Sequence, residues 1–293
     1  MKSSVKKVLS LVMSAIMTFT VLSFGLKTNT ANAAKRRNTE LYGPLQEYEV
    51  KSGNVVHQGY ILTPKEPGTY PVVVMFHGGT GHRWTAGKDM DMAARMNTWT
   101  SKGYIKPMII ILPTLVMDNR NAKNISSDMF YGYVKNKLGT LKNAFLGDKK
   151  YSKYFDPGKT WTVSGYSMGG AAALYAGTLY KNLFVNVGGL SPSAQYYIQE
   201  GRGWISQAKN LTFTRNSNAH LFMGYSLGER PEFPQNVKRF DKAFRANGFN
   251  FKIYVSPEGT HSTPLFRREM LAFFYYVSNN VFLTDDVVGT MKY

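Results

Sequence analysis

Ser167 lies in a local sequence that is typical of a nucleophilic serine. Residues 165–169 read Gly-Tyr-Ser-Met-Gly, between a β-branched and aromatic run at 160–164 and an Ala- and Leu-rich stretch at 170–179. These flanks predict a strand before the serine and a helix after it, the context in which a tight turn exposes a serine hydroxyl. The alternative is a glycine-rich turn with a structural serine, which explains the glycines but not the histidine-containing segments found elsewhere in the chain.

A serine hydroxyl attacks a carbonyl only when a base is in hydrogen-bond contact with it. Two histidines, His220 and His261, follow Ser167 in the chain. His220 begins a predicted strand, which puts it at the wrong end of the sheet, whereas His261 follows the last predicted strand in a glycine-containing loop. We therefore predict that His261 takes the serine proton and later returns it to the leaving group.

The base in turn needs a carboxylate that holds its tautomer and stabilises the imidazolium. In the chain order serine, acid, histidine, this acid should follow the strand predicted at 220–225. No aspartate lies there, and Glu229 and Glu232 are the candidates. Glu229 follows the strand sooner, in a glycine-containing turn, and is the first choice for the acid. Glu232 lies nearer the next helix and is the second, and whichever is not used is predicted to be a surface carboxylate.

A second glycine-rich segment, residues 77–79 (His-Gly-Gly), follows a continuous apolar run at 72–76. Glycine-rich backbone at the end of a buried strand can bring its N–H groups close to a ligand. We predict an oxyanion hole formed by the N–H of Met168 and the N–H of Gly79 or a neighbour. The alternative is a flexible strand-to-helix loop, and His77 itself is interpreted as structural, with its imidazole bonded to loop backbone.

Aromatic residues near these segments are candidates for substrate binding. Trp84 and Tyr166 are the first choices, and Tyr196 and Tyr197 could complete an aromatic pocket for a cinnamoyl or sugar ring. Aromatic residues in such positions are as often part of the core. The stretch 196–209 is weakly helical and is predicted to form a cap or pocket wall.

Strands and helices alternate along the chain from residue 72 onward. Strands are predicted at 72–76, 108–112, 160–164, 184–190, 220–225 and 251–255, and helices at 90–101, 128–146, 170–179, 235–247 and 265–278. Two further strands, 45–50 and 55–62, flank a Ser-Gly-Asn turn and predict a hairpin. The fold class is therefore α/β, a mostly parallel sheet with helices on both faces and an N-terminal antiparallel hairpin. Ligands bind beyond the carboxyl ends of such strands, where all the catalytic candidates fall.

The N-terminal 34 residues have the pattern of a secretory signal peptide. Lysines precede an apolar run at 8–26, and an Ala-x-Ala site follows at 31–33. We predict cleavage near Ala33, a secreted protein, and a single domain over residues 35–293. An uncleaved membrane anchor is the alternative, but five hydroxyl residues interrupt the apolar run.

The chain of 293 residues contains no cysteine and carries a formal net charge of +18. The absence of cysteine excludes thiol catalysis, and no cluster has metal-ligand spacing, so no metal or cofactor is predicted. Four positive charges lie in residues 1–34, which leaves about +14 on the remainder and favours an anionic cell-wall polymer as partner. A solvated basic surface is the alternative. We see no recognition-helix pattern for specific nucleic acid binding and predict a monomer.

Together, these motifs resemble an esterase family of α/β-hydrolases, over residues 45–278. The matching segments are His-Gly-Gly at 77–79 with Trp84, Ile-Ile-Ile-Leu-Pro at 109–113, Ser-Gly-Tyr-Ser-Met-Gly-Gly at 164–170 and Pro-Glu-Gly-Thr-His at 257–261. The family includes feruloyl and acetyl-xylan esterases, S-formylglutathione hydrolase and the mycolyltransferases. It usually has an aspartate where this chain offers Glu229 or Glu232.

The resemblance implies an α/β-hydrolase fold and a serine hydrolase that cleaves carboxylic esters through an acyl-enzyme. The residues of this chain predict that its triad is Ser-His-Glu. Secretion favours acyl, feruloyl or acetyl esters of polysaccharide over small cytosolic substrates. One alternative is an acyltransferase that uses the same triad. Another is a non-catalytic cell-wall-binding protein on a hydrolase scaffold, which the positive charge and the missing aspartate motivate.

Overall fold

An eight-stranded β-sheet organises the part of the chain that the structure describes. The structure is a computed structural model, and it describes residues 40–79, 87, 90–115, 127–193, 212–215 and 218–291. The strand order is β1-β2-β4-β3-β5-β6-β7-β8. Strand β2 pairs antiparallel with β1 and with β4, and every pair from β4 through β3 to β8 is parallel. The predicted mostly parallel sheet with an N-terminal antiparallel hairpin is confirmed.

The strands are β1 (Gln46–Ser52), β2 (Val55–Leu62), β3 (Val72–Phe76), β4 (Ile109–Pro113), β5 (Trp161–Tyr166), β6 (Phe184–Leu190), β7 (Leu221–Ser226) and β8 (Lys252–Ser256). The helices are α1 (Met92–Ser101), α2 (Ser127–Asn136), α3 (Leu141–Gly147), α4 (Met168–Leu179), α5 (Glu232–Ala246), α6 (Thr263–Asn279) and α7 (Asp285–Thr290). Short 3-10 turns occur at Leu138–Thr140 and Ser152–Tyr154.

Helices cover both faces of the sheet, because successive side chains of a strand point to opposite sides. In β3, Val72, Val74 and Phe76 pack into the hydrophobic core under α2, α3, α4 and α5. Val73 and Met75 pack into a second core under α1, α6 and α7. All five side chains are buried, which explains why this strand is continuously apolar rather than alternating.

The prediction of one long helix at 128–146 is wrong, because the structure has two helices there, α2 and α3. The 3-10 turn Leu138–Thr140 separates the two helices. The Thr140 hydroxyl donates to the carbonyl of Lys137 at 2.9 Å and lies 2.9 Å from Nε2 of His57 on β2. The 3-10 turn contains Gly139, which has a low helix propensity, and the contact of Thr140 with His57 fixes the turn against β2. The short C-terminal helix α7 was also not predicted.

Several predicted segments lie outside the described residues. They are the signal peptide at 1–34, Trp84, the helical stretch at 196–209 and the residues Tyr196 and Tyr197 within it. In the described ranges, no helix is long and apolar enough to cross a membrane.

Candidate active site

Ser167 stands on a strained turn between β5 and α4. Its backbone φ is +56°, in the left-handed region that a residue with a side chain rarely adopts, at a cost of about 1–3 kcal/mol. The turn needs glycine at two places. A Cβ on Gly165 would lie 2.4 Å from the carbonyl oxygen of Gly169, and a Cβ on Gly169 would lie 2.3 Å from that of His77. Strand β3, strand β5 and helix α4 can approach this closely only because both positions lack side chains.

The parallel pairing of the strands aligns the carboxyl ends of β3 and β5 with each other, and likewise those of β7 and β8. Phe76 pairs with Gly165, and Ser226 pairs with Ser256. The loops that leave β3, β5, β7 and β8 therefore emerge at the same edge of the sheet, as in other open α/β sheets that bind ligands there.

A chain of hydrogen bonds connects Ser167, His261 and Glu229. Nε2 of His261 lies 2.9 Å from Oγ of Ser167, and Nδ1 of His261 lies 2.6 Å from Oε1 of Glu229. Because a carboxylate accepts only, Nδ1 donates its N–H to Glu229. Nε2 of the neutral ring is then left to accept the serine O–H. This is the arrangement in which an imidazole can remove the serine proton.

The Glu229 carboxylate is held from several sides in the turn after β7. Its side chain is fully buried. Besides His261, the carboxylate accepts the backbone N–H of Ser226 at 2.8 Å and contacts Oγ of Ser191 at 3.0 Å, both through Oε2. Three residues further on, Glu232 begins α5 and pairs with Arg230 at 3.0 Å. The structure thus brings Glu229, and not Glu232, to the imidazole.

Two phenylalanines fix the plane of the His261 ring. Phe233 stacks on it with centroids 3.6 Å apart and planes 13° apart, and Phe266 meets it edge-on at 4.9 Å and 84°. The His261 side chain remains 21% exposed. The ring is therefore oriented by packing as well as by hydrogen bonds, with one side open towards the solvent.

The two backbone segments predicted to form the oxyanion hole meet beside Ser167. Met168 is the first residue of α4, so its N–H has no partner four residues earlier within the helix. An ideal Cβ on Gly79 would lie 2.1 Å from the Met168 sulfur, and one on Gly78 would lie 3.3 Å from Cβ of Ser167. The loop after β3 thus packs directly on the residue after the serine.

Tyr166, predicted to bind substrate, is only 7% exposed. Its ring stacks on Phe266 with centroids 4.8 Å apart, and a Cβ on Gly78 would lie 3.0 Å from it. The ring therefore supports the floor of the site and has little surface left for a ligand. Its predicted partner in the pocket, Trp84, lies outside the described residues.

Two other histidines have structural contacts. Nδ1 of His77 donates to the carbonyl of Gly78 at 2.8 Å, as the loop-backbone interpretation predicted. The ring of His220 lies between the side-chain oxygens of Asn186 and Asn280, at 2.8 and 3.0 Å. Within the ranges that the structure covers, no group of three His, Asp or Glu side chains is placed to hold a metal ion.

Two residues that were not predicted from the sequence, Ser191 and Glu269, lie behind Glu229. Oγ of Ser191 is 2.9 Å from Oε1 of Glu269, a fully buried carboxyl on α6. Burial raises the pKa of Glu269 well above its ordinary value, the negative charge of Glu229 raises it further, and hydrogen bonding to Ser191 opposes both. Glu269 is the only carboxylate of α6 and directly follows Arg267 and Arg268, so the sequence around it resembles a charged surface segment and gave little sign of its burial.

The comparison with protein families decides the class of this site. Residues 57–274, more than half of the chain, match the model of the dienelactone hydrolase family. The chain belongs to the dienelactone hydrolase family. It is therefore a carboxylic ester hydrolase with an α/β-hydrolase fold, and the predicted resemblance to esterases of this class is confirmed. No curated protein matches the chain significantly in a sequence search.

Solved structures with the same fold are themselves esterases. A ferulic acid esterase from Anaeromyces mucronatus in complex with ferulic acid is 17% identical with a TM-score of 0.66, covering 82% of this chain and 92% of that one. The feruloyl esterase module from Clostridium thermocellum, complexed with sinapinate, is 14% identical with a TM-score of 0.58, covering 82% and 89%. The enterobactin esterase from Shigella flexneri is 15% identical with a TM-score of 0.56, covering 80% of this chain and 59% of that one.

Proposed function

We propose that this dienelactone hydrolase family member is a secreted serine esterase with Ser167 as nucleophile, His261 as base and Glu229 as the supporting acid. The single observation that supports it most is the pair of contacts of His261, 2.9 Å to Oγ of Ser167 and 2.6 Å to Oε1 of Glu229. Both distances lie in hydrogen-bond range, and the three residues come from three separate loops at one edge of the sheet.

In the proposed acylation step, Nε2 of His261 removes the proton from the Ser167 hydroxyl while Oγ attacks the ester carbonyl carbon. The carbonyl π electrons move onto oxygen, and the N–H groups of Met168 and Gly79 stabilise the negative charge. Each such donor is worth on the order of 3 kcal/mol in the transition state. The tetrahedral intermediate collapses, the bond to the alcohol oxygen breaks, and the imidazolium gives its proton to the departing alcohol.

In the proposed deacylation step, a water molecule takes the place of the alcohol. His261 removes a proton from this water, and the resulting hydroxide attacks the acyl carbon. The Ser167 oxygen leaves and recovers its proton from the imidazolium, which releases a carboxylic acid. Glu229 stays ionised throughout and stabilises the positive ring in both steps.

We propose esters of hydroxylated aromatic acids with polysaccharide as the substrate class. The similar structures bind or are named for ferulic acid, sinapinate and enterobactin, and the first two ligands are hydroxycinnamic acids. The pattern of a signal peptide at residues 1–34 supports an extracellular, polymeric substrate.

An ester panel tests this proposal. Methyl ferulate, methyl sinapinate, para-nitrophenyl acetate and a longer acyl ester are offered to the wild-type protein and to Ser167→Ala. We expect the wild-type protein to hydrolyse methyl ferulate and methyl sinapinate with a higher kcat/KM than para-nitrophenyl acetate or the longer acyl ester. In Ser167→Ala, we expect kcat to fall to the residual level left by binding and the oxyanion hole, roughly 10³-fold or more below wild type.

The control is Ser193→Ala. The backbone N–H of Ser193 donates to the carbonyl oxygen of Ser167 at 2.9 Å, and the substitution keeps this N–H while it removes a neighbouring serine hydroxyl. This variant is expected to retain activity. Ester hydrolysis by Ser167→Ala at a rate close to that of wild type would reject Ser167 as the nucleophile. A preference for acetyl over feruloyl esters would keep the esterase and reject the aromatic substrate class.

A further inference from the structure

The hydroxyl of Ser191 lies between two buried carboxyl groups. Its Oγ is 3.0 Å from Oε2 of Glu229 and 2.9 Å from Oε1 of Glu269. Ser191 and Glu269 are fully buried, and so is the side chain of Glu229. The three residues come from the ends of β6 and β7 and from the interior of α6, and they extend the hydrogen-bond chain behind His261 into the core.

One hydroxyl proton cannot serve two ionised carboxylates. An ionised carboxylate only accepts hydrogen bonds, and a serine hydroxyl has a single proton to donate. If Glu229 and Glu269 were both ionised, one of the two contacts with Ser191 would place oxygen lone pairs against each other in a buried site. One of the two carboxyl groups must therefore carry a proton of its own.

The surroundings identify Glu269 as the protonated group. Glu229 also accepts the Nδ1–H of His261 and the N–H of Ser226, so its negative charge is well solvated by donors. Glu269 interacts with the hydroxyl and the backbone of Ser191, and its second oxygen, Oε2, is buried without a hydrogen-bond partner in the described structure. A neutral acid is the form that tolerates such a site.

The charged groups around Glu269 do not compensate a negative charge there. The negative Glu229 faces it across Ser191. Tyr254 on β8 interacts electrostatically with Glu269 but carries no positive charge. On α6 itself, Arg268 is directed to the hydroxyl of Ser256 and to Asp285, at 3.1 and 3.5 Å. In the ranges that the structure covers, no lysine or arginine forms an ion pair with Glu269.

The backbone is shaped to accommodate this arrangement. Ser191 has a φ of +40°, a left-handed conformation that a non-glycine residue rarely adopts. On the other side, a Cβ on Gly224 would lie 2.8 Å from the carboxyl carbon and from Oε1 of Glu269. The absence of a side chain at Gly224 and the left-handed backbone of Ser191 together leave room for the carboxyl group at the end of the sheet.

We propose that Glu269 is a protonated acid that donates a hydrogen bond to Ser191, and that Ser191 in turn donates to Glu229. Ser191 and Glu269 are then positioning residues, which hold the carboxylate behind His261 while leaving a single negative charge in the buried part of the site. Their effect on catalysis rests on the proposed function, whereas the proton on Glu269 does not.

Infrared spectroscopy of the full chain tests the proton directly. In heavy water near neutral pH, the wild-type protein is expected to show the C=O band of a protonated carboxylic acid, which Glu269→Gln abolishes. Ser191→Ala should keep the band but shift its frequency, because the hydrogen-bond partner is lost. Glu232→Gln is the matched control, since it removes a carboxylate that pairs with Arg230 at the surface, and it should leave the band unchanged.

The pH dependence of kcat/KM tests the positioning role. Glutamine is also neutral and its N–H can replace the acid as donor, so Glu269→Gln should keep kcat/KM within about threefold and leave the acidic limb in place. Glu269→Leu removes the donor and should lower kcat about tenfold, the scale of one lost hydrogen bond, with a smaller change in KM. An ionised Glu269 would instead place a second negative charge behind the imidazole, and Glu269→Gln would then move the acidic limb of kcat/KM to lower pH.

These outcomes separate this inference from the proposed function. Absence of the infrared band in wild type, its persistence in Glu269→Gln, or a downward shift of the acidic limb in that variant would overturn the inference. If the wild type hydrolyses no ester, the proposed function fails, and the infrared measurement still decides whether Glu269 carries a proton. If Glu269→Leu does not fold, Ser191→Ala and Glu269→Gln carry the comparison.

Discussion

At the scale of single residues, three positions separate the carboxylate that reaches His261 from one that does not. Glu229 lies in the tight turn after β7 and is buried, whereas Glu232 begins α5 and pairs with the exposed Arg230. The turn holds Glu229 by its own geometry, since the backbone N–H of Ser226 donates to its Oε2. A short turn therefore suffices to select which of two neighbouring glutamates supports the imidazole.

Replacing Glu229 by glutamine should lower kcat about 10³- to 10⁴-fold. The amide presents no charge to stabilise the imidazolium and can favour the wrong tautomer of His261. Glu232→Gln is the matched control and should change kcat less than about threefold, because it loses only an exposed ion pair. Steady-state kinetics on one ester measure both variants, and a larger loss in Glu232→Gln than in Glu229→Gln would contradict the assignment.

At the scale of elements, close approach between β3, β5 and α4 sets the position of the nucleophile. The carbonyl oxygens of Phe76 and His77 would lie 2.6 and 2.3 Å from a Cβ on Gly169. These are backbone atoms of a buried strand end, which cannot move aside as the tip of a flexible side chain can. The helix therefore keeps its position only with glycine at this site.

Gly169→Ala should destabilise the fold by about 1–3 kcal/mol or more through overpacking. It should also lower kcat, because α4 carries the N–H of Met168. Gly132→Ala is the matched helical control, since a Cβ there meets nothing within 4 Å. It should stabilise the fold by up to about 1 kcal/mol through helix propensity. Denaturant unfolding measures both, and equal effects of the two substitutions would contradict the packing argument.

His57 connects β2 to the turn between α2 and α3. Burial, with a smaller contribution from the charge of Lys137, lowers the pKa of His57 from 6.5 to about 4. The unfolded chain therefore binds a proton that the folded chain does not in this pH window, and stability should fall as the pH drops from about 6.5 towards 4.

The size of this loss relative to His57→Gln is on the order of 3 kcal/mol. Unfolding free energies of both proteins between about pH 7 and pH 4 measure it, and the variant serves as the reference because all other groups titrate in both. A constant difference across this pH range would show that the ring is not held neutral in the fold.

The strands were predictable because unbroken apolar runs indicate burial on both faces. Strands β3 and β6 have the predicted bounds, and β4 and β8 differ by one residue. The break between α2 and α3 was missed although Gly139 lies in it, whereas the contact of Thr140 with His57, 83 positions away, could not be read from the sequence. Ser167 and His261 were recognisable from their place after strands. Ser191 and Glu269 were not, because their significance lies in contacts across 38 and 78 positions.

At the scale of the whole molecule, the net charge is strongly positive. The sequence has 36 Lys and Arg against 18 Asp and Glu. Such an excess creates a positive potential that raises the local concentration of polyanions and speeds their association. For the secreted esterase proposed above, this field would favour retention at an anionic cell-wall polymer close to the proposed substrate.

The chain without residues 1–34 should bind dextran sulfate, with an affinity that falls steeply with rising salt because exposed charges are screened beyond about 8 Å at physiological ionic strength. Neutral dextran of the same length is the control and should not bind. Binding titrations at several salt concentrations measure this, and salt-insensitive binding or equal binding of both polymers would contradict an electrostatic origin.

Trapping of the acyl-enzyme tests the central claim most directly. After rapid mixing with para-nitrophenyl acetate and acid quenching, intact-mass and peptide-mapping spectra are recorded for wild type, Ser167→Ala and His261→Ala. We predict a single acetyl group on Ser167 in wild type, none in Ser167→Ala and a strongly slowed adduct in His261→Ala. Hydrolysis without any adduct, or an acetyl group on another residue that accounts for turnover, would contradict the account.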